Sequence, residues 1–308
     1  MITALAGGVG AAKLILGLIN ILPKDDITVI VNTGDDQLNY YGLYVCPDID
    51  IIMYTIAGIV DEKKGWGIKN DTFNCLEMID TYGLKTWFNL GDKDLATHIY
   101  RTLLHKQGKK LHEITSILSK KLEINVRILP MTNQFVPTFI KTKRGLLHFE
   151  EYLIKNRATD KVIDVIYKDI DKAKPAPGVI ESIQSSKGII ICPSNPIVSI
   201  GPIIRIKDIK DAIRNKKSIA ISPIVGDKPI KGPADKLMIG TGYEVSALGV
   251  ARIYQDFIKN FIIDHQDKKY MKSIQKLGLK VHLFDTIMNN IDKKINLARF
   301  TIEKLFSQ

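Results

Sequence analysis

Apolar residues along this chain fall into short continuous runs separated by stretches with a helical repeat. Ile2–Ala6 is an apolar strand, followed by a glycine turn (Gly7, Gly8, Gly10) and an amphipathic helix expected to begin near Ala11. A second apolar strand, Ile27–Val31, empties into Asn32-Thr33-Gly34-Asp35-Asp36. Helices are predicted over 51–59, where Pro47 and Asp48 supply a start signal, and over 73–82, 95–107 and 111–122. Strands return at 126–129, 139–142, 145–149 and 161–167, while 150–156 is ambiguous. A helix is expected over 175–185 with proline in its first turn. Beyond it, 188–192 and Ser218–Ile221 are the continuous runs of parallel strands buried on both faces. Helices at 208–214, Ala234–Gly240 and 246–256, strands at Asn260–Ile263 and 281–284, and a terminal helix complete the pattern.

Alternation of strand and helix in both flanks predicts an α/β fold, a doubly wound and mostly parallel Rossmann-like sheet. The alternation fails between about residues 95 and 170. That segment is expected to be a helical and antiparallel insertion covering the strand ends within a single domain, 1–308.

In such a sheet, ligands bind outside the carboxyl ends of the strands. Strand, glycine turn, helix, strand and acidic end make a nucleotide-binding βαβ unit, in which glycines let backbone approach a phosphate and the helix start offers free N–H groups. The third glycine of the dinucleotide fingerprint is replaced by Lys13, and no GxxxxGK[ST] motif is present. Loops 193–202 and 222–234, rich in Gly, Pro, Ser and Asn, follow buried strands and suit a base, ribose and diphosphate. Asp35, Asp36, Asp48 and Asp50 lie on two consecutive connections, where clustered carboxylates suit Mg²⁺ or a general base. Asp92 and Asp94 are equally explicable as first-turn helix acids, and Asp71 as an N-cap. None of the six histidines sits in a triad pattern.

Composition narrows this further. A hydrophobic share of 45% in 308 residues is ordinary for a globular chain. There is no apolar run long enough for a membrane span and the chain starts in a strand, so a cytoplasmic protein is expected. Three cysteines without CxxC spacing argue against zinc or a disulfide framework. The net charge of +11 comes from scattered lysine pairs that fit a solvated surface better than a nucleic-acid groove.

Several stretches together resemble the 2-phospho-L-lactate transferases of coenzyme F-420 biosynthesis: AGGVGAAKL, VNTGDD, GLYVCPDIDIIMYT, GWG with NDTF, LGDKDLATHIYRT, PSNPIVSIGPI and SPIVGDKPIKGPADKLM. These run in order over most of the chain. The resemblance implies a guanosine diphosphate-activated 2-phospho acid as donor, the ribityl hydroxyl of the deazaflavin Fo as acceptor, GMP as leaving group and a requirement for Mg²⁺. It implies small-molecule partners and a homodimer, with neither nucleic acid nor membrane. By the same resemblance, Gly7, Gly8, Gly10, Lys13, Asn32, Ser194, Asn195, Ser199 and Gly201 would hold the nucleotide. Asp35, Asp36 and Asp48 would hold metal, while Asp50 with Asp48 would act in catalysis. Asp50, Asn89 and Lys93 would contact Fo, Asn89 standing where the family carries a charged residue. Asp50 is expected to contribute little to folding. The alternative is a non-catalytic nucleotide-sugar-binding regulator similar to the gluconeogenesis factors, which share the glycine turn and acidic loop.

Overall fold

The computed structural model describes residues 1–307. Seven strands form the central sheet: β1 Ile2–Ala6, β2 Ile27–Val31, β3 Arg127–Pro130, β4 Ile189–Ile191, β5 Ser218–Ile221, β6 Asn260–Ile263 and β7 Lys280–Leu283. Their order is β7-β6-β5-β4-β1-β2-β3, and every pairing is parallel. The chain winds outward from β1 in one direction and from β4 in the other. The strand order therefore reverses between β1 and β4, leaving a crevice at their carboxyl ends.

The unbroken apolar runs follow from burial on both faces. Leu5, Ile30, Ile191, Ala220 and Phe261 enter one core, whereas Ala4, Val29, Ile190, Ile219 and Ile262 enter the other. Side chains of a strand alternate between faces, so a strand with a core on each side carries apolar residues at successive positions. Helices α1 (Gly8–Ile19) and α2 (Pro47–Ile56) and the C-terminal helix Ile291–Phe306 cover the second face.

Three elements differ from the sequence expectation. The strand at 127–130 falls within the presumed insertion yet pairs with β2 and forms the sheet edge. The antiparallel part is confined to Thr138–Thr142, Gly145–His148 and Asp164–Tyr167. A hairpin, Gln37–Tyr40 with Leu43–Val45, was not anticipated. Tyr41 and Gly42 both have positive φ at its tip, the geometry of a two-residue hairpin turn, and only Gly42 advertises it. The helix expected from 175 begins at Val179, because Gly178 adopts a left-handed conformation after two prolines. No helix among the described residues is long and apolar enough to cross a membrane.

The small antiparallel sheet is tied directly onto the loop after β2. Thr138 N donates to the Gly34 carbonyl (2.7 Å), and His148 Nε2 lies 3.1 Å from the Asp36 carbonyl. Helices α3 (Asn74–Thr81) and α4 (Asp92–Lys106) brace each other by exchanged caps. Asp92 accepts from Thr72 Oγ1 and from the backbone of Asn74 and Cys75, while Asp71 accepts from Lys93 N and Asp94 N. Each carboxylate thus satisfies N–H groups left free at the start of the other's helix.

Candidate active site

A cleft of about 520 Å³ opens at the carboxyl ends of the strands, beside the glycine turn. Its lining is in part apolar and aromatic, with Ile51, Tyr54, Trp66, Phe88, Leu153 and Ile154, and in part acidic, with Asp48, Asp50, Asp94 and Glu150; the exposed Lys64 and Lys231 also line it. Apolar walls bearing a few convergent polar groups, in a volume of this order, suit a flat ring system carrying a polar tail.

The glycine turn is shaped by its neighbours. A Cβ on Gly7 would come within 2.6 Å of Asp48 Oδ2 and 2.7 Å of Ser199 Cβ, and one on Gly10 would overlap the Pro193 carbonyl. Gly8 has φ of +68°, which side-chain-bearing residues rarely adopt. Thus Gly7 and Gly10 let the β1 turn lie against α2 and the 193 loop, and Gly8 alone of the three lines the cleft. Ser194 Oγ accepts from Gly7 N (3.3 Å), fastening β4 to β1 across the switch point.

The other residues assigned to the nucleotide mostly hold loops. Asn195 Oδ1 accepts from Ile197 N and Val198 N, and Gly201 lies against the Tyr167 ring. Asn32 donates to Asp48 Oδ2 (2.8 Å) and to the Val198 carbonyl while accepting from Gly34 N. Lys13 is half-buried outside the lining, its pKa lowered by burial and by the neighbouring Lys294. Asn89 does line the cleft. Lys93 does not: it is exposed and donates to the Asn70 carbonyl (2.8 Å), a correction to its expected substrate contact that follows from its outward position in the first turn of α4.

The acids divide into two groups. Asp35 and Asp48 are buried together with Glu150, which comes from the end of the antiparallel hairpin. Burial first, and then the charges of Asp48, Glu150 and Asp36, raise the Asp35 carboxyl well above its ordinary range. Burial raises Asp48 to about 6, and burial with the Asp48 charge raises Glu150 to about 8. Asp35 Oδ1 has no hydrogen-bond partner. Asp36, expected beside them, instead accepts from Cys46 Sγ (3.1 Å) and feels the charge of Arg101.

Arg101 organises the second group. It is 1% exposed and forms a two-pronged ion pair with Asp50, one prong being Nη1 to Oδ2 at 3.0 Å. Nη1 also lies 3.0 Å from His98 Nδ1. A guanidinium cannot accept, so Nδ1 carries the lone pair and Nε2, 3.3 Å from Asp94 Oδ1, carries the proton. Tyr54 donates to the same Asp94 oxygen at 2.7 Å. Asp50, Asp94 and His98 could together present three metal-ligating atoms within 4.8 Å. Arg101 already takes both Asp50 oxygens and His98 Nδ1, which makes this a charge-paired network. The expectation that Asp50 matters little to folding is corrected here, since it is one half of a buried ion pair.

Sequence reasoning missed Arg101, His98, Tyr54 and Glu150. Asp94, His98 and Arg101 are spaced four and three apart, so they share one face of α4, and that polar face at helical spacing was the available signal. Glu150 lies where neither period holds, and nothing local marks it.

A raised carboxyl makes the native state hold its proton longer than the unfolded chain does. Glu150 therefore costs nothing below the unfolded value near 4.3 and costs progressively more up to its folded value of about 8. In chelator, Glu150→Gln should match the parent in stability near pH 4.5 and exceed it at pH 8.5. Urea midpoints across that range check this, and parallel curves would show that Glu150 is solvated.

Glycine turn, switch-point crevice and acid-lined cleft define a doubly wound α/β protein whose cleft lies at the reversal of its strand order. A family model described as 2-phospho-L-lactate transferase CofD matches residues 2–300. The 2-phospho-L-lactate transferase of Methanococcus maripaludis strain S2 is 41% identical over 303 residues, covering 97% of this chain and 96% of that protein. Its counterpart in Methanosarcina mazei is 39% identical over 298 residues, covering 97% and 98%. This chain belongs to the 2-phospho-L-lactate transferase family. A crystal structure of a UPF0052-family protein from Bacillus halodurans shares the fold at a TM-score of 0.66 and 15% identity, covering 98% of both chains.

Proposed function

We propose that this chain transfers a 2-phospho-L-lactate group, or a related 2-phospho acid, from a guanosine diphosphate-activated donor to the ribityl hydroxyl of Fo. The acceptor oxygen attacks the phosphorus bearing the hydroxy acid, the bond from that phosphorus to the GMP oxygen breaks, and the hydroxyl proton passes to solvent. The observation that carries this reading is the cleft lined by both aromatic residues and carboxylates, set beside a glycine turn at the switch point. Trp66, Phe88 and Tyr54 suit the deazaflavin ring, and Asn89 its polar edge. Asp50, both oxygens already held by Arg101, would accept a hydrogen bond from the hydroxyl and orient it. The Gly8 backbone would face the diphosphate.

Asp35 and Asp48 fit a role in holding Mg²⁺, because Asp35 Oδ1 is a buried acceptor with no donor and the buried acids there have no cationic partner. When bound, such an ion would neutralise charge on the diphosphate. The rest of the rate enhancement falls to positioning by the cleft.

The test is a reaction of purified protein with Fo, Mg²⁺ and a donor in which lactate is joined through a diphosphate to guanosine, followed by chromatography and product mass. GMP should appear in step with an Fo adduct heavier by one phospholactyl group. Tight binding of nucleotide sugars with no adduct from any 2-phospho acid donor would favour the regulatory reading instead. Rival donors in the same assay identify the acid.

A further inference from the structure

We infer that Asp94 is the general base of the transfer, taking the proton of the attacking hydroxyl that Asp50 draws into the cleft. This deepens the transfer reading above and rests on it. Four carboxylates line the cleft, and three of them are unsuited to the task. Both oxygens of Asp50 are held by Arg101, so a proton on either would cost one prong of a buried ion pair. Asp48 Oδ2 already accepts from Asn32, against the glycine turn assigned to the diphosphate. Glu150, raised to about 8, keeps its own proton at neutrality.

Asp94 is placed differently. It lies in the first turn of α4, where Asp71 accepts from its backbone N–H (3.1 Å). Of its side chain only Oδ1 is engaged: the Tyr54 hydroxyl donates to that oxygen at 2.7 Å, and His98 Nε2 stands 3.3 Å from it. Oδ2 receives no hydrogen bond from any described residue, nor is it one of the fully enclosed atoms that lack a partner. The side chain is 10% exposed and lines the cleft, so the free oxygen is reached from there. One ligating atom of Asp94 lies within 4.8 Å of one of Asp50. Two acceptors at that separation can both reach a single hydroxyl oxygen, since each hydrogen bond spans about 2.7–2.8 Å.

Burial works against the Asp94 charge, but His98, Tyr54 and Arg101 outweigh it and hold the carboxyl below its ordinary range. The group is therefore ionised at neutrality and able to accept. So weak a base takes the proton as the bond to phosphorus forms and the hydroxyl oxygen grows acidic, the part played by the catalytic-loop aspartate of protein kinases. In that step the acceptor oxygen bonds to phosphorus, its proton moves to Asp94 Oδ2, and the electron pair of the broken phosphorus–oxygen bond leaves with GMP. Asp94 then passes the proton to solvent. Tyr54 and His98 are positioning residues, fixing Oδ1 so that Oδ2 meets the substrate.

The experiment uses the full chain in the transfer assay, with Fo binding measured separately by calorimetry. Asp94→Asn keeps the shape and can still accept from Tyr54. Its kcat should fall by about a hundredfold or more, while its affinity for Fo and its melting temperature stay close to the parent's. A merely structural Asp94 would lose melting temperature, Fo affinity and turnover together, and that result would overturn the assignment. Turnover within about threefold of the parent would overturn it as well. Should the asparagine variant fail to fold, Asp94→Glu serves: it keeps the charge but displaces the carboxylate by one methylene, and kcat should drop at least tenfold at unchanged Fo affinity. A fully active glutamate variant would argue against a positioned base. A parent that binds Fo yet forms no adduct with any donor would overturn the transfer reading and this inference with it, an outcome distinct from loss in the variant alone.

Discussion

Arg101→Met is expected to destabilise this protein by about 3–5 kcal/mol, the usual cost of removing one partner from a buried ion pair. The guanidinium is fully enclosed, and Asp50 depends on it for both oxygens. Burial drives the Asp50 carboxyl upward, and Arg101 is the main force opposing that rise. Removing the cation would also deprive His98 of its donor and Asp36 of a nearby positive charge. A methionine side chain fills similar length, so the loss would be electrostatic more than volumetric. The double variant Arg101→Met with Asp50→Leu should recover most of the stability, because replacing a whole buried pair by apolar groups is often neutral. It should recover no activity, since Asp50 lines the cleft. Urea unfolding of parent, single and double variants measures the first effect, and the transfer assay the second. A single variant within 1 kcal/mol of the parent would mean that water reaches the pair.

Asp48→Asn should lower kcat/KM by a hundredfold or more, about 3 kcal/mol, with little loss of stability. The side chain sits where the glycine turn, the Asn32 amide and the buried acids meet. Asparagine keeps the shape and can still accept from Asn32, so the turn should hold. What disappears is one negative charge from a group of buried carboxylates, whose mutual repulsion destabilises the fold when no cation is present. The variant should therefore melt at or above the parent in chelator while turning over poorly with both substrates saturating. Normal turnover would reduce Asp48 to a brace for the glycine turn.

The two experiments separate roles that look alike along the chain. Asp48 and Asp50 occupy the same first turn of α2, two residues apart, and either could serve as a helix-start acid. Their side chains leave that turn in different directions, one to the glycine loop and Asn32, the other to Arg101 on α4. Helical geometry separates residues two apart by more than half a turn, so adjacency in the motif carries no promise of shared function.

What the sequence determined by itself is what local repetition encodes. Residues 29–31, 219–221 and 261–263 are apolar at consecutive positions, and a strand with a core on each face satisfies that pattern. The doubly wound sheet, the glycine turn and the acidic loop after β2 were legible for the same reason, as was the place of the cleft. The identity of the acids that meet there was decided by tertiary structure alone. Arg101 stands 51 positions from Asp50, and Glu150 comes from a segment with no clear period. Charges interact through space according to distance and burial, whatever number of residues lies between them. Periodicity is fixed by the backbone within a few residues, so it could show where strands and helices lie but not which carboxylate would be left buried without a partner.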